Sequence, residues 1–212
     1  MGREFIDLFD EWASSYDDTV SGHDVEYKEV FDQYEVILDT VAAKSSGNVL
    51  EFGVGTGNLT EKLRGKGLSV FGIEPSTEMR KKTEARFPDL TLFDGDFLSF
   101  PKIDAPISTI VSTYAFHHLT DEEKDKAIEL YSQLLEQNGK IVFADTAYLH
   151  DEDRKSRHAI VQEQGFMNLL KDLQTEYYTT LEVLRSLFTK HGFSVSFTKM
   201  NEYVWLMEAV KK

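Results

Sequence analysis

Most of the residues able to do chemistry lie in short stretches. "VLEFGVGTGNLTEKL", Val49 to Leu63, sets Gly53, Gly55 and Gly57 between an apolar run and a helix-like pattern. Glycines in such a turn let the backbone approach a ligand with torsions that a Cβ would obstruct. That is nucleotide-binding chemistry, and Glu51 places a carboxylate just before the first glycine. Glu74 closes the next apolar run, where an acid can accept both ribose hydroxyls of an adenosine. "STYAFHHL", Ser112 to Leu119, puts His117 and His118 directly after another apolar run. Histidine is the natural side chain for proton transfer near neutral pH. Neighbours in sequence reach one site only where the backbone turns, so at most one of the two is expected to act as a catalytic base. Asp145, after "KIVFA", is a second candidate. His150, His158 and His191 lack partners in sequence and read as surface residues.

The elements that must hold these groups follow from periodicity. "NVLEF", "LSVFGIE", "LTLFDGD", the apolar part of "APISTIVSTYAF" and "KIVFAD" read as strands. Helices are expected from Gly57 to near Gly65, and over "PSTEMRKKTEARF" opened by Pro75 and Ser76. A third is expected behind Thr120, whose "TDEE" has the capping-box form with Glu123, and its end is expected at Asn138 and Gly139. Tyr27, Val30, Phe31, Tyr34, Ile37, Leu38 and Val41 share the spacing of one earlier helix face. Strands alternating with amphipathic helices predict an α/β fold, a doubly wound Rossmann-like sheet with helices on both faces. "FSVSFTK" and "YVWLMEAV" are close enough to pair as an antiparallel hairpin at one sheet edge. The expected organisation is a single domain over 1–212, with a helical N-terminal lid at 1–45 and a cofactor-binding core at 46–146. A helical insertion over the active site follows at 147–178, then a C-terminal helix and hairpin at 179–212.

In an open sheet of this kind a ligand sits at the carboxyl ends of the strands. The turn reads G-x-G-x-G, whereas the dinucleotide fingerprint wants a small residue where Asn58 stands. Glu74 suits any adenosine. Glu51 discriminates further: beside a pyrophosphate it would face like charge, and beside an α-amino group it would help. S-adenosylmethionine carries an adenosine, a sulfonium and an ammonium, and no phosphate. A nicotinamide-dependent oxidoreductase and a non-catalytic S-adenosylmethionine-binding regulator are the alternatives.

"VLEFGVGTGNLT", "VFGIEPSTEM", "FDGDFLSF" and "IVSTYAFHHL" together resemble the successive motifs of the class I S-adenosylmethionine-dependent methyltransferases. The match covers roughly residues 45–145, and "LFDEWASSYDDTVSG" resembles the lid of small-molecule members. The whole chain is most similar to the YrrT-type small-molecule methyltransferases. The resemblance implies a seven-stranded sheet whose last strand runs antiparallel to the others. It implies that Glu51, Gly53 and Gly55 hold the methionine end of S-adenosyl-L-methionine and that Glu74 binds the ribose. It further implies that Pro75 and Ser76 pass beneath the adenosine, that Asp96, in preference to Asp94, accepts from the adenine amino group, and that Phe97 packs at the ring. Ser112, Thr113 and Tyr114 would line the sulfonium and acceptor pocket, and Tyr16 would close over the cofactor. The product would be S-adenosyl-L-homocysteine.

Composition narrows the acceptor. The chain of 212 residues carries a formal charge of −14, which disfavours nucleic acid as a partner. It contains no cysteine, which excludes disulfides, thiolate-bound zinc and a cysteine nucleophile. No run approaches the roughly 20 apolar residues that span a bilayer, and "MGREFIDLFDEW" is no signal peptide, so no membrane partner and a cytoplasmic location are expected. A "PPY"-type turn is missing, and no His/Asp/Glu group has convincing metal-ligand spacing in sequence, so no metal is expected. The expected acceptor is a small molecule, with Phe5, Phe9, Trp12, Tyr148, Phe166, Tyr177 and Tyr178 among the aromatics of the lid and insertion.

Overall fold

The structure, a computed structural model, describes Asp10 and residues 19–212. Tyr16, Phe5, Phe9, Trp12 and nearly all of the first 18 residues of the expected lid lie outside the described residues. Seven strands form one sheet: β1 (Asn48–Phe52), β2 (Ser69–Ile73), β3 (Thr91–Phe93), β4 (Ile107–Thr113), β5 (Leu135–Thr146), β6 (Phe193–Lys199) and β7 (Val204–Lys211). Their spatial order is β3-β2-β1-β4-β5-β7-β6. The pairs from β3 to β5 are parallel, and β7 runs antiparallel to both β5 and β6. The expected doubly wound sheet and edge hairpin are both present.

Helices α1 (Tyr34–Lys44), α2 (Asn58–Gly65), α3 (Thr77–Arg86), α4 (Asp121–Leu134), α5 (Asp151–Gln164), α6 (Met167–Thr175) and α7 (Leu181–Lys190) follow. Successive strand residues face opposite sides of a sheet, and here they feed two cores. Val49, Val111 and Val142 join Ile37, Leu38 and Val41 of α1 and Leu59 and Leu63 of α2. Leu50, Ile110 and Phe143 join Ala127, Ile128 and Tyr131 of α4 and Leu184 and Phe188 of α7. Each fully buried Leu, Ile or Phe contributes roughly 1.5–3 kcal/mol. These two faces therefore hold the sheet rigid beneath whatever its loops carry.

Local chemistry sets most boundaries. The Ser76 hydroxyl accepts from Met79 N at 3.1 Å and starts α3. Thr120 and Glu123 form the capping box at α4. Two expectations are corrected. The α4 helix ends at Leu134, because Leu135 is already extended; Asn138 does adopt a left-handed φ of 67°, within β5, where the pairing with β4 shifts register. The face from Tyr27 to Val41 is not one helix. Gln33 has φ 60°, so α1 begins only at Tyr34, although Val30, Tyr34 and Val41 still reach the same core.

β1 pairs with β2 on one side and β4 on the other, so strand order reverses there. The crevice beside β1 and β4 is the topological switch point, where ligands bind in such sheets.

Candidate active site

A cleft opens at that switch point, with about 690 Å³ of space including its mouth. Gly53, Gly55, Glu74, Pro75, Asp96, Phe97, Tyr114 and His118, all expected as site residues, line it together with Thr113. Gly53 sits at φ 68°, and a Cβ there would come within 2.9 Å of the Ala115 Cβ. The turn therefore has the shape that only glycine permits.

Glu74 is buried at the end of β2. Its carboxylate accepts from Gly55 N and from Ser76 N, each at 2.8 Å. Burial still pushes the carboxyl up to about 7 against these donors. It thereby ties the glycine turn to the start of α3 and presents an acid to the cleft. Asp96 accepts from Leu98 N and Ser99 N at 2.9 Å each and stays at the cleft wall. Asp94 is 58% exposed and lies 3.4 Å from the Arg80 guanidinium. Of the two acids in "DGD", Asp96 is the one facing the cleft.

Glu51, Ser76 and Ser112 are buried beside the lining residues without lining the cleft themselves. Glu51 was expected at the mouth; it is 1% exposed and accepts from the Thr60 hydroxyl at 2.6 Å. The reason is the strand's alternation: with Leu50 on one face, Glu51 points to the α2 face, where Thr60 sits. Burial pushes its carboxyl up to about 8 in spite of that hydroxyl. Ser76 spends its hydroxyl on the α3 cap and on Asp10, 2.5 Å away. Ser112 Oγ and the Tyr114 hydroxyl are buried with no hydrogen-bond partner among the described residues. Such groups each cost roughly 1–3 kcal/mol unless something fills the role.

Beyond Tyr114 lies a second cavity, bounded by Tyr27, Phe31, His117, Asp172, Glu176 and Tyr178. Tyr114 and His118 line both spaces. Tyr114 holds a φ of 53° and packs on Phe31 and Tyr34 at ring distances of 5.1 and 5.5 Å. A 3₁₀ turn at Phe116–His118 is what lets both histidines reach one place; their ring centroids lie 4.0 Å apart.

The two imidazoles differ in charge. His117 Nδ1 is 2.6 Å from Asp145 Oδ1, and its Nε2 is 3.3 Å from Glu176 Oε2. Burial alone would push His117 down; Asp145 and Glu176 outweigh it and hold the imidazolium up to about 10. Burial and the His117 charge push His118 down to about 3, so it is neutral. Its Nδ1 lies 2.9 Å from the Ala115 carbonyl, an acceptor only, which puts the proton on Nδ1. Burial would raise Glu176, but His117 draws it down to about 2. Asp145 also takes the His117 backbone N–H at 3.0 Å, so the second candidate acid orients the first candidate base.

Glu176, Asp172, Thr60 and Lys124 are the residues that sequence reasoning missed. Glu176 reaches His117 because the strand-like segment after α6 is pinned across it: Tyr177 N donates to His117 O at 3.1 Å. Lys124, 2% exposed, donates to Tyr177 O at 2.7 Å and also to Leu119 O. A lysine at a helix position facing the core was the available signal. The three histidines expected to lack partners do have them. His150 Nδ1 accepts from Asp153 N at 3.1 Å, His158 Nε2 lies 3.1 Å from the Tyr148 hydroxyl, and His191 Nε2 lies 2.7 Å from Asp125 Oδ1.

Residues 49–139 match a family model described as a methyltransferase domain. An uncharacterized methyltransferase of Anoxybacillus flavithermus is 57% identical over 212 residues, with all of both chains covered. An uncharacterized methyltransferase of Bacillus cytotoxicus is likewise 57% identical over 215 residues, again covering both chains fully. Among solved structures, magnesium protoporphyrin IX methyltransferase from Synechocystis with bound S-adenosylhomocysteine is 17% identical. It superposes with a TM-score of 0.73, covering 100% of this chain and 99% of that one. At such low identity the likeness speaks to the fold. Among the described residues no helix is long and apolar enough to cross a membrane.

Proposed function

This chain belongs to the class I methyltransferase superfamily, and from that premise we propose that it moves a methyl group from S-adenosylmethionine to a small-molecule acceptor. One observation supports the choice of cofactor: among the described residues no lysine or arginine lines the cleft at the switch point, and Asp96 adds a second acid to Glu74, which by itself suits any adenosine. A pyrophosphate would meet like charge there, whereas an uncharged adenosine with a cationic tail would not. Two buried hydroxyls without a partner among the described residues, Ser112 and Tyr114, add polar capacity beside the same cleft.

Glu74 is the group we assign to the ribose hydroxyls, with Pro75 and Ser76 beneath the adenosine. Asp96 is assigned to the adenine amino group, with Phe97 at the ring edge. Gly53 and Gly55 give the backbone approach to the methionine end, and Glu51 balances the ammonium from behind. The cofactor supplies a methyl carbon already activated by its sulfonium. Ser112 and Tyr114 flank the place where that carbon would lie, and Tyr114 with His118 separates it from the second cavity, which we assign to the acceptor. Tyr16 would belong to the segment covering the cofactor.

Catalysis in such a site comes mainly from holding the acceptor in line and excluding water. A base is needed only if the nucleophile must lose a proton. Neither His117, held as an imidazolium, nor His118, neutral and weakly basic, is poised to take one near neutral pH. The second cavity therefore suits an acceptor that arrives with an available lone pair. His117 acts as a positioning residue, fixed by Asp145 and Glu176.

Calorimetric titration of the full chain with S-adenosylmethionine and with NADH tests the reading. Saturable binding of S-adenosylmethionine with none of NADH is expected. Tight NADH binding with no S-adenosylmethionine binding would overturn it in favour of an oxidoreductase.

A further inference from the structure

We infer that His117, His118 and Glu176 form a binding site for one divalent transition-metal ion at the floor of the second cavity. One donor atom from each, two imidazole nitrogens and a carboxylate oxygen, lie within 4.8 Å of one another. His117 Nε2 is 3.3 Å from Glu176 Oε2, and His118 Nε2 is 3.9 Å from Glu176 Oε1. Donors around one ion at about 2.0–2.2 Å sit roughly 3–3.5 Å apart, so small side-chain rotations close the set.

The stronger observation is what stands behind each donor. Ligating histidines hand their other ring N–H to a carboxylate or a backbone carbonyl, which fixes tautomer and ring direction. His117 Nδ1 does so with Asp145 Oδ1 at 2.6 Å, and His118 Nδ1 with the Ala115 carbonyl at 2.9 Å. The Glu176 carboxylate is in turn held by the Tyr178 hydroxyl at 2.5 Å. All three donors thus carry the outer support that metal ligands have, and an ion would take the place of the proton that His117 Nε2 shares with Glu176 in the metal-free chain. An Asp145–His117–Glu176 ion triad accounts for His117 alone. His118 brings a second imidazole, held at Nδ1 by a carbonyl, with its Nε2 3.9 Å from the same carboxylate.

Charge points the same way. Asp145, Glu176 and Asp172 bring three carboxylates to two imidazoles in a largely buried space. Two nitrogens and one oxygen, with no thiolate, match first-row ions such as Zn²⁺, Fe²⁺, Mn²⁺, Co²⁺ or Ni²⁺ better than Mg²⁺ or Ca²⁺, which prefer oxygen alone. Three protein donors leave positions open toward the cavity, as in sites where an ion meets a substrate. The ion's use to the reaction rests on the proposed methyl transfer; its binding does not.

The test uses the full chain without a polyhistidine tag, stripped with a chelator and titrated with Zn²⁺ and with Mg²⁺ in the absence of any cofactor. One equivalent of Zn²⁺ should bind, with no saturable Mg²⁺ binding. Glu176→Gln, which keeps the side-chain shape, and His118→Ala should each weaken Zn²⁺ at least tenfold, while His150→Asn should bind as the wild type does. Loading with Co²⁺ should give visible absorption bands that Glu176→Gln alters. No Zn²⁺ binding by the wild type, or wild-type affinity in folded Glu176→Gln, would overturn the site. Because S-adenosylmethionine binding is measured separately, failure here and failure of the methyltransferase reading are distinguishable.

Discussion

Asp145 meets His117 twice, at the ring nitrogen at 2.6 Å and at the backbone N–H at 3.0 Å. The double contact locks both the ring and the turn that carries it. It also keeps a charge inside the protein, because the Asp145 carboxylate at the end of β5 has the His117 imidazolium as its partner.

That pairing has a pH signature. His117 is raised to about 10 in the folded chain, against about 6.5 for a free imidazole. Its contribution to stability is therefore complete below about pH 6.5 and is lost as pH rises through about 10. Urea unfolding at pH 6.5 and pH 9.5 should show the wild type losing stability across that window. Asp145→Asn should lose less over the same window. Asp145→Ala should cost on the order of 3 kcal/mol at pH 6.5, since a buried imidazolium loses the nearer of its two carboxylates.

Gly53→Val forces a side chain onto a φ of 68° and toward the Ala115 Cβ. Glu74→Ala removes the acceptor of two backbone N–H groups and the acid of the cleft. Each should weaken S-adenosylmethionine at least about tenfold, or roughly 1.4 kcal/mol. Calorimetry with circular dichroism as the fold control measures it.

Glu51, raised to about 8, is largely protonated at neutral pH without a ligand. An ammonium brought near it favours the carboxylate, so cofactor binding at pH 6.5 should release protons and tighten as pH rises toward 8. Titration in buffers of different ionisation enthalpy counts them. Glu51→Gln should release fewer. Equal release from both proteins would show that Glu51 does not face the ligand's charge.

The Tyr114 hydroxyl is buried without a partner among the described residues, on the wall between cleft and cavity. Removing a buried hydroxyl that makes no hydrogen bond removes its desolvation cost. Tyr114→Phe should thus be at least as stable as the wild type, by up to roughly 1–3 kcal/mol. Cofactor affinity should hold while methyl transfer falls at least tenfold, a separation that a merely structural tyrosine would not give.

The strands, the glycine turn and the capping box were legible because each rests on local chemistry. "NVLEF" has the strand's period, Gly53 the turn's φ, and Thr120 with Glu123 the cap's reciprocal bonds. The buried position of Glu51 was not, since it depends on which helix packs over that face of β1. The place of Glu176 was less so. It reaches His117 through a segment pinned by Lys124 and by the Tyr177–His117 backbone bond, long-range contacts that no local spacing encodes. The helix expected from Tyr27 onward failed at Gln33, which takes a left-handed φ that the apolar spacing does not encode.

Methyl transfer itself is the most direct test. The full chain, with and without added Zn²⁺, is incubated with methyl-labelled S-adenosylmethionine and a small-molecule metabolite fraction, and S-adenosylhomocysteine and labelled products are resolved by mass spectrometry. The account predicts S-adenosylhomocysteine that depends on the metabolite fraction, with label in a small molecule, both lost in Glu74→Ala. No S-adenosylhomocysteine from any fraction, or label appearing only in protein or nucleic acid, would contradict it.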